Sequence, residues 1–471
     1  MHPQSNPFLT RRTLLQAAGA LAGSAATSHG LALSQAHGAH AAQKSAAGPQ
    51  PGDRVFLTNE DSNTLTVIDP VRDEVMGAIN LTSFDEDPRP PFRLVTGGVT
   101  PTHGEMIQKP LYHGAISIHG CAPSPDSRYF ATCGRGTSNL YLVDTATLAV
   151  VGNQPNPLAG PTTRADVLTS GVLVGREPHE PTFTRTGREI WVALRGENRI
   201  AVIDVEKAHA ESAGTAPRGS AIRGFIPTLP GPAMAWFTAD GARAMVISQK
   251  VPRIQVFKVR YDDAGYSHAE PERMIDTTVQ DRFGFAPFIR LAPTQREFWV
   301  SQKLADAVAV YDAGGVHALL DHVALGEKAR PNHVEFVANR GGEVAYVSFG
   351  RIDDGGPGGV ASSKIGIIDR SAPAGRRRVV GDFFSHGREA HGIWTDPSHS
   401  KLYIAHERDE LPQTPNEGQT VCTVFDIADP IKPRFIRQIA LGNLDLPSGK
   451  LRNKKSINLV YVRPGAQSAT A

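Results

Sequence analysis

From Gly175 to Asp204 the chain reads G-R-E-P-H-E-P-T-F-T-R-T-G-R-E-I-W-V-A-L-R-G-E-N-R-I-A-V-I-D, and the pattern returns along the sequence. A histidine opens a short apolar run, a glycine turn follows, a second run ends in a polar turn, and a third run closes on aspartate. Runs of four to six residues rich in β-branched and aromatic side chains, bounded by Gly, Asn or Asp, are strands joined by tight turns. One such sheet cannot bury both of its faces, so it has to stack on copies of itself. The third run is the easiest to count. It recurs as L-T-V-I-D ending at Asp69, L-Y-L-V-D at Asp144, I-A-V-I-D at Asp204, I-Q-V-F-K at Lys258, V-A-V-Y-D at Asp312, I-G-I-I-D at Asp369 and C-T-V-F-D at Asp426. Seven copies at intervals of 54 to 75 residues predict an all-β chain, a seven-bladed β-propeller of four-stranded antiparallel blades over residues 54–462.

The ends of the repeat predict how the ring closes. The first copy begins with its second strand, Arg54 to Thr58, and has no room for a first one, whereas Ser456–Val462 is an orphan strand after the seventh copy. The C-terminal strand is therefore expected to become the innermost strand of blade 1, which removes two exposed sheet edges. Residues 463–471 then form a tail.

Composition limits the setting. Interior segments carry no apolar run of the roughly 20 residues a membrane helix needs, so no membrane span is expected. A formal charge of +2, with no basic tract beyond Arg376, Arg377 and Arg378, gives nucleic-acid binding no support. The N-terminus differs: Arg11 and Arg12 precede a weakly apolar run reaching Leu33, then Ala39-His40-Ala41. This resembles a twin-arginine export signal. Residues 1–41 are expected to be removed, 42–53 to act as a linker, and the mature protein, a monomer, to reside in the periplasm. His29, His37 and His40 fall in that segment. Of the three cysteines, Cys121 and Cys133 flank a turn at nearly equal distances, so they are expected to face each other as a disulfide or a reduced pair; Cys422 is expected in the core. The absence of Cys-x-x-Cys-His excludes covalent c-type haem.

The turns Ser124-Pro125-Asp126-Ser127 and Thr238-Ala239-Asp240-Gly241, each leading into a strand, together with the V-I-D endings, resemble the YVTN-type β-propeller repeat. The resemblance spans about residues 54–462 and implies fold rather than activity. It places the chain near propellers similar to the haem domain of nitrite reductase, the copper domain of nitrous oxide reductase and the selenium-binding proteins.

The candidate chemistry lies at the starts of the inner strands. Counting back eight or nine residues from each turn puts His119, His179, His333 and His391 at one level in blades 2, 3, 6 and 7; blades 4 and 5 carry Ala233 and a position near Pro287 instead. Neutral imidazoles around one axis suit copper, or zinc, and Glu177 and Glu389 are the expected supporting carboxylates. Read conservatively, each imidazole would simply bond the backbone of the next blade. Arg176, Arg330 and Arg388 stand three residues before three of the histidines, with Ile116 at that place in blade 2. Guanidinium groups suit oxyanions and carboxylates, so these arginines are expected either to guide an anionic small molecule or to pair with Glu177, Glu180 and Glu389.

Long insertions at 84–118, 153–174, 351–363 and 407–420 are expected on the histidine face, and 206–219 and 260–272 on the other. The first brings His103, Met106 and His113 as candidate caps over the channel; His386, His399 and His406 are expected in strands or at the surface. Three functions follow. One is a copper- or zinc-dependent oxidoreductase acting on a small molecule, one a non-catalytic binding or scaffold propeller, and one a carrier of a non-covalent haem-type tetrapyrrole held by the three arginines.

Overall fold

The computed structural model describes residues 48–81, 117–155, 167–168, 171–446 and 449–465. The export segment and the candidate caps His103, Met106 and His113 lie outside the described residues.

The described strands form seven four-stranded antiparallel sheets, and two short hairpins, 154–155 with 167–168 and 443–446 with 449–452, stand apart from them. Blade 3 serves as the pattern: inner strand Pro178–Phe183, then Glu189–Leu194, Arg199–Asp204 and an outer strand Ile222–Pro227. The middle strands are buried on both faces because each blade is packed between two others. Trp191, Ala193, Ile200 and Val202 of blade 3, for example, meet Ala235, Phe237, Ala244, Val246 and Phe257 of blade 4. This is why the third strands read as continuous apolar runs rather than as an alternation.

The aspartate that ends each run makes the next turn. Asp69 accepts from the Val71 backbone N–H at 2.9 Å, Asp144 from Thr147 at 2.8 Å, Asp312 from Gly314 at 3.0 Å, Asp369 from Ser371 at 2.9 Å and Asp426 from Ala428 at 2.9 Å. In blade 3 the same carboxylate caps a helix, α1 (Val205–Ser212), through the Lys207 N–H at 3.0 Å. Blade 4 has Lys258 at this place, and its strand runs on to Tyr261 before Asp262 makes the turn with Ala264.

Ring closure occurs as expected. Ser456–Val462 pairs antiparallel with Arg54–Asn59, setting Tyr461 opposite Val55 and Leu459 opposite Leu57. A polar clasp backs it: Tyr461 Oη donates to Asp53, and Arg463 Nη2 lies 2.8 Å from the same carboxylate.

Two expectations are corrected. Cys121 pairs with Thr132, so Cys133 points to the other face of blade 2; the two thiols sit in different packing clusters and all three cysteines are free. The described parts of 153–174 do not form a connection on the histidine face. The segment interrupts the outer strand of blade 2, since Val150 bridges Val143 before it and Val172 pairs with Leu140 near its end.

Candidate functional site

Each histidine-bearing strand carries a β-bulge at its start. In blade 3, Pro178 pairs with Leu194 and Pro181 with Val192, so His179 and Glu180 together oppose the single residue Ala193. The same count holds for His119-Gly120 in blade 2 and His391-Gly392 in blade 7. A bulge re-aims side chains and is often found beside functional sites. In blade 6 the pairs are Pro331 with Phe349 and Val334 with Val347, so Asn332 takes the place of His179, and His333 falls one residue later, level with Glu180. Counting back from the turn slips by one there because the hairpin extends to Asn339 and Gly342 before it turns. Arg330 shifts with it. Its φ of +50° matches Glu177 at +49° and Glu389 at +59°, whereas Arg176 and Arg388 precede that corner.

The four imidazoles gather as two pairs. The His119 and His179 rings lie 4.3 Å apart, and those of His333 and His391 5.0 Å. All four are buried and held neutral: burial is the main cause, and across the axis His391 further lowers the pKa of His119 and His333 that of His179. His333, stacked on Phe288 at 4.1 Å, is pulled down to about 3.

Only the first pair has a third donor within reach of both of its rings. One ligand atom each from His119, His179 and Glu180 lie within 4.8 Å of one another, all buried, and this is the one such cluster among the described residues. Glu180 reaches sideways over Gly120. A side chain at that glycine would place its Cβ 2.3 Å from Glu180 Oε2 and 2.0 Å from the His179 carbonyl. The carboxyl accepts from the Cys121 N–H at 3.1 Å and from Asn458 at 3.4 Å, yet burial pushes its pKa up to about 8. His179 Nδ1 lies 3.0 Å from the Ala233 carbonyl of the next blade. A carbonyl can only accept, so Nδ1 carries the proton and Nε2 offers its lone pair, presently to the Gln249 amide at 3.2 Å. The conservative backbone-bonding expectation thus holds for one nitrogen of His179. His119 Nδ1 has no hydrogen-bond partner and faces Glu180 Oε1 at 3.9 Å.

The arginines part company. Arg176 donates to the Gly196 carbonyl at 3.3 Å and approaches Glu197, and Arg388 donates to the Asp409 carbonyl at 2.8 Å. Glu177 and Glu389 pair with Arg195 at 3.6 Å and Arg408 at 2.7 Å, and neither is hydrogen-bonded to an imidazole among the described residues. Arg330 is exposed, its guanidinium without an ion-pair partner among the described residues.

A second layer was missed by counting from the histidines. The residue after six strand positions in the second strand of each blade is Glu60, Arg135, Arg195, Gln249, Lys303, Gly350 and Glu407, in strings such as R-V-F-L-T-N-E and E-I-W-V-A-L-R. Several meet the inner layer: Gln249 at His179, Lys303 Nζ at Asn332 Oδ1 (2.5 Å), and Glu407 Oε1 at His391 Nε2 (3.6 Å). Glu60 is buried between Arg135 and Lys455. That fixed strand position was the signal available in the sequence.

Below the bulges the channel turns apolar. Cys121, Pro181, Met234, Trp236, Phe288 and Trp394 line a hollow beneath Asn458. Arg290 lies over the Trp394 ring at 4.3 Å and is ion-paired with buried Glu335 beside it.

No family model and no curated protein matches the chain. Among solved structures it is similar to a functionally unknown protein from Desulfotomaculum acetoxidans, with a TM-score of 0.54, 10% identity, and 88% of this chain and 99% of that one covered. A putative 6-phosphogluconolactonase from Bacteroides uniformis gives 0.54, 12%, 87% and 100%. The likeness is of fold. At these identities it says that the chain is a seven-bladed β-propeller and leaves its chemistry to its own residues.

The buried histidines set an acid limit. A histidine whose pKa is about 3 when folded and about 6.5 when unfolded is protonated only in the unfolded chain between those values, so its contribution to stability is lost as pH falls through that window. Replacing His333 by leucine should therefore narrow the stability difference from the unsubstituted protein on acidification, by about 1.4 kcal/mol per pH unit below pH 6.5. Urea unfolding of both proteins at pH 7, 5.5 and 4.5 measures it; a constant difference would contradict a neutral buried His333.

Proposed function

We propose that this protein is an exported metal-dependent enzyme that acts on a small anionic molecule in its axial channel, with one copper or zinc ion on His119, His179 and Glu180. The observation that carries this reading is the unpartnered Nδ1 of buried His119, facing a buried carboxylate beside a second imidazole whose tautomer is fixed. A buried polar atom without a partner is costly, and a cation shared by the three donors removes the cost. Three protein ligands leave a position free for water or substrate, the usual form of a catalytic site. Two imidazoles with one carboxylate suit zinc as well as copper; bound zinc would supply an activated water and bound copper a one-electron couple.

This chain's own residues do the rest. The Ala233 carbonyl orients His179, and Asn458 and the Cys121 N–H hold Glu180. The tetrapyrrole alternative has less support, because two of its three arginines are engaged with backbone carbonyls. Changing His179 to alanine should weaken zinc binding by about 100-fold or more, read by competition with a chromophoric chelator. Equal affinity in both proteins would remove the metal site and leave a binding propeller.

A further inference from the structure

We infer that the anionic group of the substrate is a small monovalent one, of carboxylate size, held by the Lys303 ammonium across the axis from the metal ligands, with Arg330 at the rim. The inference rests on the axial-site reading above and adds the substrate's charge and its anchor. Lys303 follows the second strand of blade 5, and its Nζ reaches Asn332 Oδ1 at 2.5 Å. Asn332 is fully buried and occupies in blade 6 the position of His179 in blade 3, so the ammonium stands at the depth of the imidazole layer. Lys303 has no carboxylate within ion-pair distance among the described residues, and neither has Arg330. One acceptor leaves two ammonium protons to satisfy. The corresponding position in blade 6 is Gly350, so no side chain stands there between Lys303 and Glu407. A Cβ at Gly350 would come within 3.3 Å of the Asn332 amide nitrogen and 3.2 Å of the Arg330 carbonyl.

Charge balance sets the class. Glu407 and Glu60 belong to the same layer as Lys303, whose pKa is lowered, mainly by burial, with Glu407 near enough to oppose that shift and Arg330 adding to it. With Glu60 paired to Arg135 and Lys455 and Arg195 to Glu177, the charge left to an anion is the Lys303 ammonium beside Glu407, which suits a singly charged anion and disfavours a dianion such as sulfate.

The test is isothermal titration of zinc-loaded protein with acetate, nitrite and sulfate. Acetate or nitrite should bind, sulfate more weakly, and Lys303→Met should weaken acetate at least about 10-fold, with Lys303→Arg recovering part of it and unfolding midpoints showing all variants folded. Titrating metal-free His179→Ala protein separates the two readings: acetate binding that still depends on Lys303 sustains the anion site even if no metal is ever found. Unchanged acetate affinity in Lys303→Met, tighter binding of sulfate than acetate, or no binding of any of the three overturns it.

Discussion

Removal of the chain from Ser456 onward is expected to abolish the folded state rather than weaken it. The strand buries Ile457, Leu459, Val460, Tyr461 and Val462, none more than 6% exposed. At about 1.5–3 kcal/mol for each large apolar side chain, its loss is roughly 10 kcal/mol, comparable with the whole stability of a typical domain, about 5–15 kcal/mol. It would also bare the edge of Arg54–Asn59 and leave Asp53 without Tyr461 and Arg463. Because blades 7 and 2 both contact blade 1, the damage should spread: Tyr403 of blade 7 packs with Tyr461, and Phe56 of blade 1 stacks on Phe130 of blade 2 at 4.8 Å. The truncated protein should show no cooperative thermal transition and should aggregate. A variant that keeps a sharp transition within a few degrees of the full chain would mean that the ring does not depend on this clasp.

The second large effect is expected from adding a side chain at Gly120. Its Cβ would stand 2.0 Å from a backbone carbonyl, and backbone cannot swing away as the end of a flexible side chain can. Gly120→Val must part blades 2 and 3 or eject Glu180 from the seat given by the Cys121 N–H and Asn458. Overpacking of a rigid site costs about 1–3 kcal/mol, and the displaced carboxyl adds to it. Stability and metal binding should therefore fall together, whereas Gly77, whose Cβ would meet nothing within 4 Å, should accept alanine with no effect on metal. Chemical unfolding and a zinc titration on both variants would show it; a stable Gly120→Val protein that retains its zinc affinity contradicts the packing of Glu180 described above.

The repeat was legible because its physics is local. An apolar run ending in aspartate makes a strand and its turn within a few residues, so seven blades and the closing strand could be counted, and even the Lys258 exception has a local explanation in the longer strand it permits. The level of the histidines was partly legible. His119, His179 and His391 do share a position, but His333 does not, because the blade 6 hairpin is longer than its glycine suggests. Glu180 was visible only as a partner for arginine; its part in the cluster depends on Gly120 of another blade, about 60 residues away, which no local pattern announces. Cys121 and Cys133 do not face each other for a plainer reason. The turn closes Ser124 on Tyr129 and Pro123 on Phe130, so Cys121 meets Thr132 and the one-residue offset puts Cys133 on the opposite face. Lys303 and Glu407 sit at a fixed strand position in every blade, a regularity hidden by the variety of residues that fill it.

The most direct measurement is the metal content of the purified protein after loading with copper or zinc and removal of excess, by elemental analysis, alongside the His119→Ala/His179→Ala double variant. One ion per chain in the first and none in the second is expected. A protein that emerges without metal, or a double variant that retains a full equivalent, would contradict an axial metal centre on these residues.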